Sequence, residues 1–181
     1  SGPTAADPAS VADAQAVLAR HGIAAPERGW SETPKAVPGE YRLVARAADA
    51  LAATAAEAER LGYRPLLLGE CTGEARKLGH AHAEAALRAP PGTALVSGGE
   101  LTVRVTGRGK GGRNHEYALA AAIALAARPD VVGLAADTDG IDGNSGAAGA
   151  FFGGEELDGA EAALAANDSG GWFAQRGAQL V

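Results

Sequence analysis

Short apolar runs alternate along this chain with Ala-rich stretches of helical period. Ser10 stands just before the first such stretch and suits a helix N-cap, which predicts a helix over roughly 11–20 that stops at Gly22. Residues 24–40 hold Pro26, Gly29, Pro34, Pro38 and Gly39, a density that reads as a linker. Beyond it, Tyr41–Ala45 is expected as a short strand, and Arg46–Leu61 as a helix closed by Gly62. Pro65–Gly69, Thr93–Ser97 and Val131–Ala136 are continuous apolar runs of the kind buried in parallel sheets. Leu101–Val105 alternates apolar and polar residues, as a half-exposed strand does. Further helices are expected from Thr72 or Gly73 to about Leu87, over Asn114–Ala127 with Asn114 as N-cap, over Glu155–Ala166, and over Asp168–Gln175. Strand and helix thus alternate. The pattern predicts an α/β fold, a layered α/β/α arrangement with a mainly parallel sheet and one antiparallel strand or hairpin near 101–105.

Composition narrows the function classes. The chain has 181 residues, of which 46% are hydrophobic and only 4% aromatic, so its core must be built from Leu, Val, Ile and Ala. A net charge of −6 argues against nucleic acid as a partner. No apolar run approaches the roughly 18 residues of a membrane span, so no membrane partner is expected. The single Cys71 cannot form an internal disulfide, which fits a reducing, cytoplasmic setting. There is no Met, so Ser1 is not a translation start, and the sequence is expected to be a fragment or a processed chain.

Chemistry-bearing residues concentrate in three loops after candidate strands, where ligands gather in open α/β sheets. They are Ser97–Glu100, Gly107–Asn114 and Asp137–Gly146. In the second, Arg108, Lys110 and Arg113 stand among glycines ahead of a helix. Free amides and the helix dipole there favour an anion, either phosphate or carboxylate. Gly107-x-Gly109-x-x-Gly112 also satisfies the dinucleotide pattern, but the strand before it alternates instead of being buried on both faces. The third loop gathers Asp137, Asp139 and Asp142, carboxylates that suit Mg²⁺ alongside phosphate oxygens. An EF-hand is excluded, because Ile141 and Ala148 stand where oxygen ligands belong.

Three ordered motifs carry a resemblance. Ser97-Gly98-Gly99-Glu100-Leu101-Thr102-Val103, then Gly107 through Asn114-His115-Glu116, then Asp137-Thr138-Asp139-Gly140-Ile141-Asp142-Gly143 with Ala147-Ala148-Gly149-Ala150, resemble the MOFRL region. That region forms the C-terminal part of class II glycerate 2-kinases, also described as hydroxypyruvate reductases. Ser1-Gly2-Pro3-Thr4 with Asp7-Pro8, Glu32-Thr33-Pro34-Lys35 and Asn167-Asp168-Ser169 are similar to that family too.

The resemblance implies an ATP-dependent kinase that converts D-glycerate to 2-phosphoglycerate in a cleft between two domains. It implies ATP and Mg²⁺ as cofactors and an N-terminal Rossmann-like domain supplying a lysine; a homodimer is compatible with it. On this reading residues 1–40 end the preceding domain and lead into a linker, 41–166 form the MOFRL-containing domain, and 167–181 return towards the first domain. Arg113 and Asp139 match catalytic positions. Gly98, Gly99, Glu100, Lys110, Gly111, Gly112 and Asn114 would contact substrate or phosphate, and Asp137, Asp139 and Asp142 the metal. His115 departs from the family pattern, where Gln is more usual, and Ser145 stands where Thr is common. A nicotinamide-dependent hydroxypyruvate reductase and a non-catalytic anion-binding module are the competing readings.

Overall fold

The computed structural model describes residues 5–40, 42–126, 128–154 and 156–181. The chain divides into two units, Ser1–Val44 and Ala45–Val181.

In the first unit the only helix among the described residues is α1, Val11–Arg20. Ser10 and Asp13 close a capping box at its start: the Asp13 amide donates to Ser10 Oγ (3.2 Å) and the Ser10 amide to Asp13 Oδ2 (2.8 Å). At its end Gly22 turns left-handed, and the Ile23 amide reaches back to the Leu18 carbonyl. Residues 24–40 form no regular element, as the proline density predicts. Polar contacts tie them to the helix and to the segment before it: the Val11 amide donates to Glu32 Oε1, and Thr33 Oγ1 to Asp7 Oδ2. The expected strand at 41–45 is absent over 42–45, and Tyr41 lies outside the described residues.

The second unit is α/β, as expected. It runs α2 (Ala47–Arg60), β1 (Arg64–Glu74), α3 (Ala75–Arg88), β2 (Thr93–Thr102), α4 (Arg113–Leu125), β3 (Gly133–Ala136), β4 (Gly149–Phe152), α5 (Ala160–Ala165), α6 (Ser169–Gln175) and β5 (Gln179–Leu180). The strands β1 and β2 pair in parallel, while β3, β4 and β5 form an antiparallel ribbon in that order.

Several boundaries differ from the sequence expectation for identifiable reasons. β1 continues to Glu74, because its pairing with β2 runs on to Glu74↔Thr102, and this delays α3 to Ala75. For the same reason β2 is one strand through 93–102, not a strand, a loop and a second strand. The antiparallel part therefore lies at 133–180 and not near 101–105. β3 is an edge strand with Leu134 half exposed, not a buried parallel one. α5 starts only at Ala160, after left-handed Gly159, and Glu155 lies outside the described residues.

α4 is the core helix of this unit. Ala118, Leu119, Ala120, Ala121, Ala122 and Leu125 are all buried, so its apolar surface extends around most of the helix. On one side it packs against α3, where Gly79 leaves no room for a side chain against α4 backbone. On the other, Ala118 and Leu119 meet Ala135 of β3, Ala150 of β4, Ala160 of α5, and Trp172 and Phe173 of α6. Residues 167–181 contribute α6 to this packing and β5 to the ribbon, paired with β4. The consequence for function is that the N-terminus of α4, with Arg113, is carried on the most deeply held element.

Candidate functional site

Arg113 is the first residue of α4, whose N-cap is Gly112, and Asn114, expected to cap, lies one position further in. The Arg113 guanidinium joins two carboxylates. Its Nε and Nη2 both donate to Asp137 Oδ2, at 3.1 and 2.6 Å, and its Nη1 donates to Glu100 Oε1 on β2. The two acids are unequal: the Asp137 side chain is 14% exposed and that of Glu100 is 73% exposed. Asp137 therefore fixes the guanidinium plane from inside, while Glu100 approaches it from solvent. Leu101, Val103, Arg113, Asp137, Asp139, Ile141, Asp142 and Gly143 line a cleft of about 310 Å³ beside this triad.

Of the three carboxylates expected around a metal, Asp142 serves another purpose. Its side chain is fully buried. Oδ1 accepts from the Asn114 amide (3.0 Å) and Asn114 Nδ2 (3.3 Å), and Oδ2 accepts from the His115 amide (2.8 Å) and lies 2.6 Å from His115 Nδ1. Four partners occupy both oxygens, so Asp142 has nothing left for a metal. Burial alone would raise its pKa, but the His115 side chain and the two amides outweigh that and hold it below the ordinary carboxylate range. Among the described residues no group of three or more His, Cys, Asp or Glu side chains is arranged to hold a metal. Asp139 is exposed, with Oδ1 accepting from the Ile141 amide, and Asp137 Oδ2 is engaged by Arg113. That leaves Asp139 and one oxygen of Asp137, which fits the one or two carboxylates that Mg²⁺ takes beside phosphate oxygens.

The glycine loop also differs from its expected use. Its amides face the protein: Gly107 donates to Asn167 Oδ1, Gly109 to the Ala166 carbonyl, Lys110 to Asp168 Oδ1 and Gly111 to Asn144 Oδ1. The glycines make room for the chain itself. A Cβ at position 107 would lie 2.8 Å from Ala166 Cα, at 109 it would lie 2.6 Å from Asp168 N, and at 112 it would lie 2.6 Å from the Asp142 carbonyl carbon. Neither an anion nest nor a dinucleotide turn is left in these amides, and the anion expected at the head of α4 is the Asp142 carboxylate. Gly98 and Gly99 stand inside β2 rather than in a loop, with Gly99 backed against Cys71 backbone. Lys110, with an exposed side chain, and Arg108 remain as solvent-facing cations of the loop.

Sequence reasoning missed the residue that holds this loop in place. Asn167, left-handed at φ 54°, accepts from the Thr106 and Gly107 amides (2.8 Å each) and donates to the Arg104 carbonyl and to Glu116 Oε2 (3.0 Å). Glu116, buried, also pairs with Arg76 Nε at 2.9 Å. Two signals pointed to it without giving it a role: the likeness of Asn167-Asp168-Ser169 to the family, and an Asn just after an Ala-rich helix, where left-handed caps occur. A larger groove of about 1070 Å³ on the outer side of β3 and β4 contains none of the expected site residues.

Fold and site together define an α/β domain with a guanidinium–carboxylate triad at the head of its central helix. Residues 93–181 match the MOFRL family. The chain is 45% identical over 175 residues to an Agrobacterium vitis protein provisionally named a hydroxypyruvate reductase, covering 87% of this chain and 40% of that one. It is 34% identical over 169 residues to the D-glycerate 2-kinase of Thermotoga maritima, covering 85% and 40%. The crystal structure of glycerate kinase from Thermotoga maritima superposes with a TM-score of 0.78 at 30% identity, over 97% of this chain and 47% of that one. The chain thus spans about two-fifths of the length of these curated relatives. No helix among the described residues is long and apolar enough to cross a membrane.

Proposed function

We propose that this chain supplies one wall of the active site of a cytoplasmic, ATP-dependent glycerate 2-kinase. The observation that carries the reading is Arg113, held by Asp137 in the lining of the cleft and met by Glu100 from solvent. The names of the glycerate kinase relatives support the substrate and the donor. Because the amides of Gly107, Gly109, Lys110 and Gly111 are engaged internally, the glycine pattern at 107–112 does not support the nicotinamide-dependent alternative.

In the reaction, the C2 hydroxyl oxygen of D-glycerate attacks the γ-phosphorus of ATP. The bond to the β,γ-bridging oxygen breaks, ADP leaves, and the hydroxyl proton passes to a base. Arg113 grips the glycerate carboxylate or a phosphate with its planar fork, and Asp137 holds that fork in orientation. Asp139, exposed at the cleft, orients the acceptor hydroxyl. With Asp137 it would also hold Mg²⁺, which when bound neutralises charge on the transferred group. Lys110 adds a cation at the rim.

A preceding Rossmann-like domain, into which residues 1–40 lead back, provides the opposite wall. The 181 residues alone are therefore expected to show no kinase activity above background. Arg113→Lys in a protein of the relatives' length is expected to lower kcat/KM at least 100-fold with the fold intact, because lysine keeps the charge and loses the fork. Wild-type kinetics would reduce Arg113 to a solvated cation. Asp139→Asn is expected to weaken the Mg²⁺ dependence, and an unchanged metal titration would move the metal to Asp137 or to the other wall.

A further inference from the structure

We propose that Asp142 is the positioning residue of the Arg113 site, acting through the backbone of α4 without touching the ligand. The proposal rests on Arg113 being the group that meets the substrate anion. α4 begins without a side-chain cap of its own: the first-turn amides of a helix have no intrahelical acceptor, and its N-cap, a glycine, has no side chain to supply one. Asp142, 28 positions after Asn114, fills that role from another loop by binding the Asn114 and His115 amides together with both of their side chains.

The approach is permitted from both sides. A Cβ on Gly112 would collide with Asp142, and one on Gly143 would lie 2.8 Å from Gly112 Cα. Asn144, two residues on, fastens the same loop to Gly111 with bonds in both directions, amide to carbonyl (3.0 Å) and side-chain oxygen to amide (2.8 Å).

The loop that carries Asp142 also carries Asp137. One loop therefore grips Arg113 twice, at the backbone of its helix turn through Asp142 and at its guanidinium through Asp137. An arginine side chain has many rotamers, and a two-oxygen contact with substrate requires one of them in advance. Were α4 free to fray at 113–115, only the Asp137 contact and the solvent-exposed Glu100 would restrain the side chain. With the cap in place, the Cα of Arg113 and the carboxylate of Asp137 sit at fixed separation. His115, behind the cap, is itself packed on Phe173 and faces Gln179 across 3.3 Å, which ties the cap to the core.

The test reads the side chain directly, before any turnover. In the ¹⁵N-labelled 181-residue protein, solvent exchange of the Arg113 Nε proton, assigned by its loss in Arg113→Lys, is compared with that of the Trp172 indole proton. The indole donates to the Asp158 carbonyl at 3.0 Å and serves as a reporter of the core. Asp142→Asn is expected to speed Arg113 exchange at least tenfold relative to Trp172. Equal acceleration of both protons, or of neither, would show that Asp142 only stabilises the fold and would overturn the proposal. If that variant does not fold, His115→Leu, which removes one of the four partners and keeps apolar volume, must raise the same ratio, and an unchanged ratio overturns the proposal equally. Absence of glycerate turnover in a protein of the relatives' length would refute the kinase reading without altering this ratio in the 181-residue protein, so the two failures are separable.

Discussion

Gly109→Ala separates a ligand-binding glycine loop from one that packs against its own chain. The added methyl would lie 2.6 Å from Asp168 N and nearer still to its Cα and Cβ, so the loop and the 166–168 segment must part by about 1 Å. Three bonds span that seam: Gly109 N to the Ala166 carbonyl (3.1 Å), Lys110 N to Asp168 Oδ1 (2.8 Å) and Gly170 N to the Lys110 carbonyl (2.8 Å). Weakening two of them at about 1 kcal/mol each, with about 1–3 kcal/mol of overpacking strain, gives a loss of about 4 kcal/mol. For a chain of this size that is a drop of roughly 10 °C in Tm. Thermal unfolding followed by circular dichroism measures it. A Tm unchanged within about 2 °C, accompanied by weaker binding of ATP or pyrophosphate, would refute the packing argument and return these glycines to the ligand.

Three further outcomes follow from the same geometry. Asp142 has a lower pKa folded than unfolded, so it contributes stability above about pH 4 that is lost as pH falls through the folded value; urea midpoints between pH 7 and 3 should fall less steeply for Asp142→Asn than for wild type, and parallel curves would contradict this. Burial pushes the Tyr117 phenol, 2.9 Å from His82 Nδ1, up to about 12, so absorbance at 295 nm should show a late step that Tyr117→Phe removes; a titration indifferent to that substitution would contradict it. Asn167→Ala leaves the Thr106 and Gly107 amides without their acceptor and is expected to cost about 3 kcal/mol, with exchange at those two amides speeding most; uniform acceleration across the domain would show that Asn167 does not act locally.

Local chemistry was readable from sequence where it acts over a few residues. The N-cap at Ser10, the ends of α1 and α2 and the two loops that bring Arg113 and Asp137 together all follow from short-range patterns. What sequence could not show is set by contacts across long separations. Gly98-Gly99 reads as a loop because glycine disfavours strands, yet pairing with β1 holds it extended. Asp142 reads as a metal ligand beside Asp137 and Asp139, and only the folded chain reveals that the head of α4 takes both its oxygens. The glycines at 107, 109 and 112 match a phosphate-loop pattern because any close backbone approach requires them, whether the neighbour is a phosphate or residues 142 and 166–168.

On the proposed reading, the Arg113 cleft forms part of a site for phosphoryl transfer to glycerate. ³¹P NMR of a protein of the relatives' length with D-glycerate, ATP and Mg²⁺ tests it most directly. A 2-phosphoglycerate resonance matched by ADP is expected to grow, and to be abolished or greatly slowed by Arg113→Lys. Oxidation of NADH by hydroxypyruvate with no phosphorylated product would contradict it.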